Sequence, residues 1–490
     1  MQLIAEQIDD FFLDVTKKTI EGVNEQFRIT KRKLDQDQFE WSMLSNPEKS
    51  DMHTRREHIL KKYERYGNDF WNTWPACFDP GCGDGEFLAV WQEKLREAGC
   101  PDAEIAKRVF WADPEHANIM LTAQRLGISI DNGFSYQVGK VEETYVNKRG
   151  VIKTREVDIT QKSFEEGLNR MTFDINKVNV VGNLPFTYGK GNAPVAVPVL
   201  LNLLDKGIPQ TINLVQHMGF MPSNEFSEFR KNLYESGMKF LGENDPNLFS
   251  EGNAKVRTVD IFCERGHKGN IIYRTLDGNA FDYDFKSKDI IVSGGTLELT
   301  EFLYSLLDKT KSFGFLRNRN TKNPSYKELD AVAVDFPTPG YEPYLSKMSV
   351  SGDIIKYAPA EMFVWKDDIN SWRSVHGYRP SGLEYGDKRI GRTTKIPPGV
   401  HLPGSPNLYF KGTATEEHVD NLDRYIHSGP IEKFVLQMTR ENKTFDAKTI
   451  SGVTKFIPAL PEGVTIKNDD DVFDFLETPE HIREAVRARF

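Results

Sequence analysis

The segment Phe78-Asp79-Pro80-Gly81-Cys82-Gly83-Asp84-Gly85-Glu86-Phe87 constrains the fold of this chain more than any other. It lies between a short apolar stretch and the helical pattern Phe87-Leu88-Ala89-Val90-Trp91, and so reads as a strand-to-helix turn. Alternate glycines let backbone approach a ligand closely and adopt dihedrals closed to other residues. The spacing is G-x-G-x-G, which differs from the G-x-G-x-x-G of a dinucleotide fingerprint and lacks the Gly-Lys-Ser/Thr ending of a phosphate loop. With Asp79 just ahead of the glycines, the turn suits a ligand carrying a cationic amino-acid tail. The plainer alternative is a tight turn with no ligand.

A second motif lies downstream. The apolar run Val178-Asn179-Val180-Val181-Gly182 reads as a buried strand, and Asn183-Leu184-Pro185-Phe186 follows at its carboxyl end. The Asn183 amide oxygen and the Leu184 carbonyl can each accept one hydrogen of an NH2 group. Pro185 fixes a bend and donates no N–H. Phe186 offers a flat apolar face on which a ring can stack. Together these residues form a device for gripping a planar amine. An exocyclic amine of a base is a poor nucleophile, and two acceptors outside the ring plane would localise its lone pair.

The two motifs, in this order, resemble S-adenosylmethionine-dependent adenine-N6 DNA methyltransferases of the gamma motif order. In that family a D-P-x-x-G-x-G-x-F motif contacts the cofactor and an N-P-P-F/Y-type tetrad does the chemistry. The resemblance implies S-adenosyl-L-methionine as cofactor, held by Asp79, Pro80, Gly81, Gly83, Gly85 and Phe87, with Asn183, Leu184, Pro185 and Phe186 catalytic. Leu184 stands where proline is commoner, but its role is carried by a backbone carbonyl. Firm for roughly 75–265, the resemblance is looser over 400–490, which is similar to the tail of stand-alone modification methylases of bacteria and phages. It implies an α/β fold: a Rossmann-like methyltransferase domain with a mostly parallel sheet, followed by a mixed α+β target-recognition region. The implied partner is double-stranded DNA with a flipped-out base, alongside a separately encoded restriction endonuclease. Related tetrads act on ribosomal RNA adenines and on a protein glutamine, and a member that lost catalysis could remain as a DNA-binding or anti-restriction protein. A long region after the core favours DNA.

Two departures from the family stand out. Members carry a T-P motif ahead of the glycine loop, and the segment Tyr66-Gly67-Asn68-Asp69-Phe70-Trp71, taken as its counterpart, has no such pair. The acid that binds the ribose would fall at Trp111 by the usual pattern. Asp113 is therefore the first candidate and Glu115 the second, against the plain reading of an ordinary helix-start acid. For the adenine ring of the cofactor the candidate is Asp158, although a turn acid explains it as well. Residues 127–172 are longer than the family requires and suggest a hairpin insertion. After the tetrad, Thr187-Tyr188-Gly189-Lys190-Gly191-Asn192 reads either as a loop that orders over a base or as an idle surface loop.

Composition sets outer limits. Lys plus Arg is 63 against 72 Asp plus Glu, a net charge of −9. Affinity for DNA must then come from local basic patches. One such stretch carries Lys309, Lys311, Arg317, Arg319 and Lys322; another carries Arg373, Arg379, Lys388, Arg389 and Arg392. Each is a candidate for DNA contact or a solvated basic face. Four cysteines without a C-x-x-C pair suggest a reducing cytoplasm. Cys82 suits packing better than nucleophilic attack. No His or Cys cluster has metal-ligand spacing. The first residues lack the pattern of a signal peptide, and no apolar run suggests a membrane span. Four divisions follow: a helical cap over 1–66 with solvated charge runs, a catalytic domain over 67–266, a target-recognition region over 267–400 and a helical or mixed segment over 401–490.

Overall fold

The computed structural model describes residues 28–33, 39–44, 54–146, 152–184, 187–188, 193–194, 196–221, 226–245, 248, 258–314, 323–347, 353–364, 369–377, 393–404, 408–413, 415–433 and 457–488. They divide into two compact units, one built from 1–220 and 224–289, the other from 221–223 and 290–490.

The first unit opens with two antiparallel strands, β1 (Arg28–Lys33) and β2 (Phe39–Leu44). A helical cap was expected here. In Phe39-Glu40-Trp41-Ser42-Met43 apolar and polar residues alternate with the period of a strand, and that pattern overrides the charge content. Helix α1 (Arg56–Tyr63) and the short α2 (Asn68–Asn72) follow. The alternation then begins: β3 (Ala76–Asp79), α3 (Glu86–Glu97), α4 (Asp102–Ile105), β4 (Val109–Asp113), α5 (His116–Leu126) and β5 (Gly133–Ser135). The expected hairpin insertion is present as β6 (Lys140–Val146) and β7 (Ile152–Asp158), paired antiparallel. Next come α6 (Thr160–Leu168), β8 (Val178–Asn183), the two-residue strands β9 (Thr187–Tyr188) and β10 (Ala193–Pro194), and α7 (Ala196–Lys206). The unit closes with β11 (Thr211–His217), α8 (Ser227–Glu235), β12 (Met238–Glu243), β13 (Thr258–Glu264), β14 (Ile271–Arg274) and β15 (Ala280–Tyr283).

Nine strands form one sheet in the order β15-β14-β12-β13-β11-β8-β3-β4-β5. The run β5-β4-β3-β8-β11 is parallel throughout, while β13 runs against both β11 and β12. This is the mostly parallel α/β sheet expected. The strands of the parallel run are mostly buried because helices cover both faces. On one face Cys77, Val109, Val181 and Val215 pack with Trp91 and Leu95 of α3 and Ile59 and Tyr63 of α1. On the other, Phe78 meets Phe134, Phe164 of α6 and Phe173 with ring centroids 5.1–6.4 Å apart.

Helix α1 therefore packs in the core of the first unit, and its charges are not all solvated. Lys62 is fully buried, its Nζ 2.9 Å from Asp260 Oδ1 on β13 and 3.1 Å from the Leu214 carbonyl. Asp260 also receives His58 at 3.0 Å, Arg65 at 3.1 Å and Asn244 at 3.2 Å. Burial alone would raise its carboxyl, but Lys62, His58 and Arg65 outweigh that and hold it well below the usual carboxylate range. The sheet of the first unit extends past 266, because β14 pairs with β12 and β15 with β14.

The second unit is mixed α+β. It holds α9 (Leu297–Phe313), α10 (Tyr326–Asp330), the antiparallel pair β16 (Tyr341–Lys347) and β17 (Ile354–Pro359), and a three-stranded antiparallel sheet of β18 (Trp372–Gly377), β19 (Thr393–Ile396) and β20 (Leu408–Thr413). Helices α11 (Glu416–Ile426), α12 (Asp469–Phe475) and α13 (Glu480–Arg487) complete it. No boundary falls at 400, because β20 from the tail pairs along the whole of β18.

Candidate active site

Within the parallel run, strand order reverses direction beside β3. From β3 the chain moves outward through β4 and β5, then returns to β8 on the opposite side of β3. Crevices at the carboxyl ends of strands open at such switch points. The glycine turn follows the carboxyl end of β3, and Asn183 ends β8, its immediate neighbour. The two motifs meet at that crevice.

The turn is locked from within. The Gly81 amide donates to Asp79 Oδ1 at 3.0 Å and the Gly83 amide to Asp113 Oδ2 at 3.0 Å. The Cys82 amide donates to the Ala112 carbonyl on β4, the Gly85 amide to the Cys82 carbonyl, and the Glu86 amide to Asp84 Oδ1. Gly83 and Gly85 take φ of 53° and 81°, and a side chain at Gly85 would meet Thr122 at 3.0 Å. With its amides used internally, the turn has few N–H groups left for a phosphate. What it offers a ligand is acceptors.

Asp79 is the main one. It is fully buried, and its Oδ2 has no hydrogen-bond partner among the described residues. Burial pushes this carboxyl well above its usual range; the Gly81 amide opposes the shift, and the nearby Asp113 and Asp84 reinforce it. A cationic group placed beside it would hold it ionised. Asp84 and Glu86 are already committed, Asp84 to Arg125 at 3.0 Å and Glu86 to Arg56 at 2.8 Å as well as to Arg125. Pro80 is buried and its carbonyl accepts from Tyr136 at 3.0 Å, while Phe87 packs in the core and its carbonyl accepts from Tyr63 at 2.9 Å.

Asp79 also touches the second motif. A Cβ at Gly182 would lie 2.3 Å from Asp79 Oδ1, and Gly182 has φ 135°. Carboxylate and strand end are in van der Waals contact, which only glycine permits. Gly182→Ala is expected to cost about 2–4 kcal/mol through this clash and the strained backbone. A urea melt followed by tryptophan fluorescence measures it.

Asp113 is placed differently from the expectation. Its Oδ1 accepts from the Glu115 amide at 2.8 Å and Asn118 Nδ2 at 3.0 Å, and its Oδ2 holds Gly83. Both oxygens of this buried carboxyl are engaged, so it braces the turn; burial pushes its pKa up to about 7. Glu115, half-buried at the start of α5, is left as the acid nearer solvent. Asp158 pairs with Lys140 in the hairpin register, and its side chain lies outside the described residues. Asn183 is half-buried and Leu184 fully buried; Pro185 and Phe186 lie outside the described residues.

The segment 66–71 does not line the crevice. Tyr66 bonds Thr211 at the start of β11 and stacks on Phe70 at 4.3 Å, so it sits at the amino ends of the strands. Beside the start of α3 lies instead the start of α1, through the Arg56–Glu86 pair. Thr54, two residues before that helix, is buried, and its Oγ1 has no partner among the described residues. The sequence reading passed over it. A threonine just ahead of the helical run Arg56–Tyr63 is the only local signal.

In the second unit, Lys309 pairs with Glu477 at 2.7 Å and Lys311 with Asp308 at 3.3 Å. Surface pairs of this kind contribute about 0–1 kcal/mol and exchange readily. Arg373 departs from the expectation of surface contact. It is buried, and its guanidinium donates to the Pro397 carbonyl, because its place in the middle strand of the sheet turns it inward. Arg317, Arg319, Lys322, Arg379, Lys388, Arg389 and Arg392 lie outside the described residues. Among the described residues no group of three or more His, Cys, Asp or Glu could hold a metal ion. None of their helices is long and apolar enough to cross a membrane.

No protein-family model matches the chain, and no curated protein does. Solved structures do. A type I restriction-modification methyltransferase subunit from Streptococcus thermophilus is 14% identical, with 46% of this chain matched to 47% of that one at a TM-score of 0.30. The type IIL restriction-modification enzyme MmeI, solved in complex with DNA, is 10% identical over 89% of this chain and 76% of that chain, TM-score 0.41. A DrdV–DNA complex is 11% identical over 90% and 57%, TM-score 0.42. The chain thus spans about half the length of the type I subunit.

Proposed function

We propose that this chain transfers a methyl group from S-adenosylmethionine to N6 of an adenine in a specific double-stranded DNA sequence. One observation carries the reading: the glycine turn and Asn183 lie on adjacent strands at the sheet's switch point, with Asp79 in contact with Gly182. The fit of the cofactor is supported by two buried polar atoms with no partner among the described residues, Asp79 Oδ2 and Thr54 Oγ1. Asp79 would take the cationic amino group of the ligand's amino-acid tail. Thr54 would donate to its carboxylate, and Glu115 would accept from the ribose hydroxyls. S-adenosylmethionine, when bound, supplies a methyl group already activated on a sulfonium.

The chain's own residues then orient the acceptor. Asn183 Oδ1 and the Leu184 carbonyl take the two amine hydrogens, Pro185 sets the bend, and Phe186 stacks on the flipped ring. Catalysis on this reading is positioning, with the amine's lone pair localised toward the methyl group. The mixed α+β unit would hold the duplex, and a separately encoded restriction endonuclease would be the natural counterpart of the modification.

Two measurements test the reading together. Titration calorimetry is expected to detect S-adenosylmethionine binding by the full chain, weakened at least tenfold in Asp79→Ala. Methylation-detecting sequencing of DNA from expressing cells should show N6-methyladenine at one recurring sequence. Binding without any methylated base would overturn the enzymatic part. Methylated cytosine in place of adenine would overturn the substrate.

A further inference from the structure

We propose that Arg274, paired with Arg65 against the ring of Phe240, grips a backbone phosphate of the DNA duplex at the carboxyl rim of the sheet, away from the base being methylated. The duplex comes from the methyl-transfer reading above, on which this rests and which it deepens. Height in the sheet is fixed by register. Asn183 stands level with Val215, Val215 with Asp260, Asp260 with Gly242 and Gly242 with Arg274. Strand β14 runs in the direction of β11, because β13 opposes both β11 and β12 while β12 parallels β14. Arg274 ends β14, so it sits at the rim where β8 ends in Asn183, four strands along the sheet. At about 4.8 Å per strand the separation is about 19 Å. That is the length of roughly five or six base-pair steps at about 3.4 Å each. A duplex that presents one base to Asn183 and lies along this rim would pass over Arg274.

Two guanidiniums converge there on one carboxylate oxygen. Arg65 donates to Asp260 Oδ2 at 3.1 Å, and Arg274 stands 4.0 Å from the same atom, beyond hydrogen-bond reach. The other oxygen, Oδ1, already receives His58, Lys62 and Asn244. Both guanidiniums lie over the ring of Phe240, Arg65 at 4.2 Å and Arg274 at 5.3 Å from its centroid. The ring face attracts both cations and orders them. Opposite Arg274 stands Gly242, where a Cβ would lie 3.1 Å from Arg274 Nη2, so the glycine leaves the guanidinium its room.

The donors of this pair are not used up by the protein. Arg65 Nη1 is buried and has no partner among the described residues. The Arg274 side chain is 26% exposed, which leaves its fork reachable from solvent. Burial and the adjacent Arg65 charge disfavour the Arg274 cation, and Asp260 offsets them only in part. An anion across the pair would relieve the repulsion. A phosphate suits it, because its oxygens can accept from two planar guanidinium forks at once. Such a contact positions the duplex and carries no base preference.

The test uses the full chain and duplexes carrying the mapped site, with binding followed by fluorescence anisotropy over a range of salt. Arg274→Gln is expected to weaken binding roughly tenfold, by the same factor for the mapped duplex and for one of unrelated sequence. The slope of log affinity against log salt should become shallower by about 1. Arg274→Lys, which keeps the charge, should keep the slope. Single phosphates are then replaced by uncharged methylphosphonates, one step at a time outward from the target adenine. One position should cost the parent a similar factor and cost Arg274→Gln almost nothing more. The proposal falls if Arg274→Gln binds within about twofold of the parent, if its loss is confined to the mapped duplex, or if no neutralised phosphate distinguishes parent from variant. Should Arg274→Gln fail to fold, the parent decides alone. Sensitivity to a neutralised phosphate about five or six steps from the target supports the contact, and indifference there overturns it. A parent chain that methylates no DNA sinks the methyl-transfer reading and the partner it supplies. An active parent with an insensitive Arg274 sinks this proposal alone.

Discussion

Asn183→Ala is expected to lower methyl transfer by about 10²–10³-fold while S-adenosylmethionine binding stays within twofold. The amide ends β8, one residue past Gly182, which touches Asp79. On the proposed function, truncation removes one of two acceptors for the amine hydrogens and leaves the Leu184 carbonyl in place. A single remaining acceptor can hold the amine but cannot fix its rotation or keep the lone pair on the methyl axis. The loss should therefore fall on kcat more than on KM for DNA. Single-turnover methylation of the mapped duplex separates the two. Near-parental turnover would remove Asn183 from the chemistry, and lost cofactor binding would mean that the substitution damaged the turn instead.

The second large effect lies outside the crevice. Asp260→Asn is expected to destabilise the chain by about 3–5 kcal/mol, because it strands the fully buried Lys62 ammonium beside Arg65 and His58. Lys62→Met should cost clearly less, since Asp260 would keep His58 and Arg65. Urea denaturation of the two single variants and the double variant gives the coupling, and additive effects would refute it. The sign of the pH dependence follows from the depressed Asp260 carboxyl. Its contribution is full above the unfolded value of about 4 and is withdrawn as pH falls through the lower folded value. The parent should therefore lose more stability than Asp260→Asn on acidification.

Much of this site is legible in the sequence because its chemistry is local. Three alternate glycines after Asp79 and a tetrad after an apolar run announce both strand ends, and β3 and β8 end at Asp79 and Asn183 accordingly. Contacts between distant segments are not legible. Lys62 and Asp260 are 198 positions apart, and nothing in a charged helical run marks one lysine for burial. Arg373 hides in the same way, since a basic residue in a middle strand is indistinguishable by composition from one at an edge. Asp113 is legible as an acid at a strand end, but its contact with Gly83, 30 positions away, is not. The extent of the first unit is not legible either, because β14 and β15 join the sheet through β12, a pairing with no sequence signature.

The closed circuit of hydrogen bonds in the glycine turn bears on selectivity. A turn whose amides are satisfied before any ligand arrives is ordered at folding, so little conformational entropy remains to be lost on binding. Such a turn cannot remodel itself around a bulkier or differently charged guest. On this geometry the glycine-turn side of the crevice is a mould for its ligand, set before that ligand arrives.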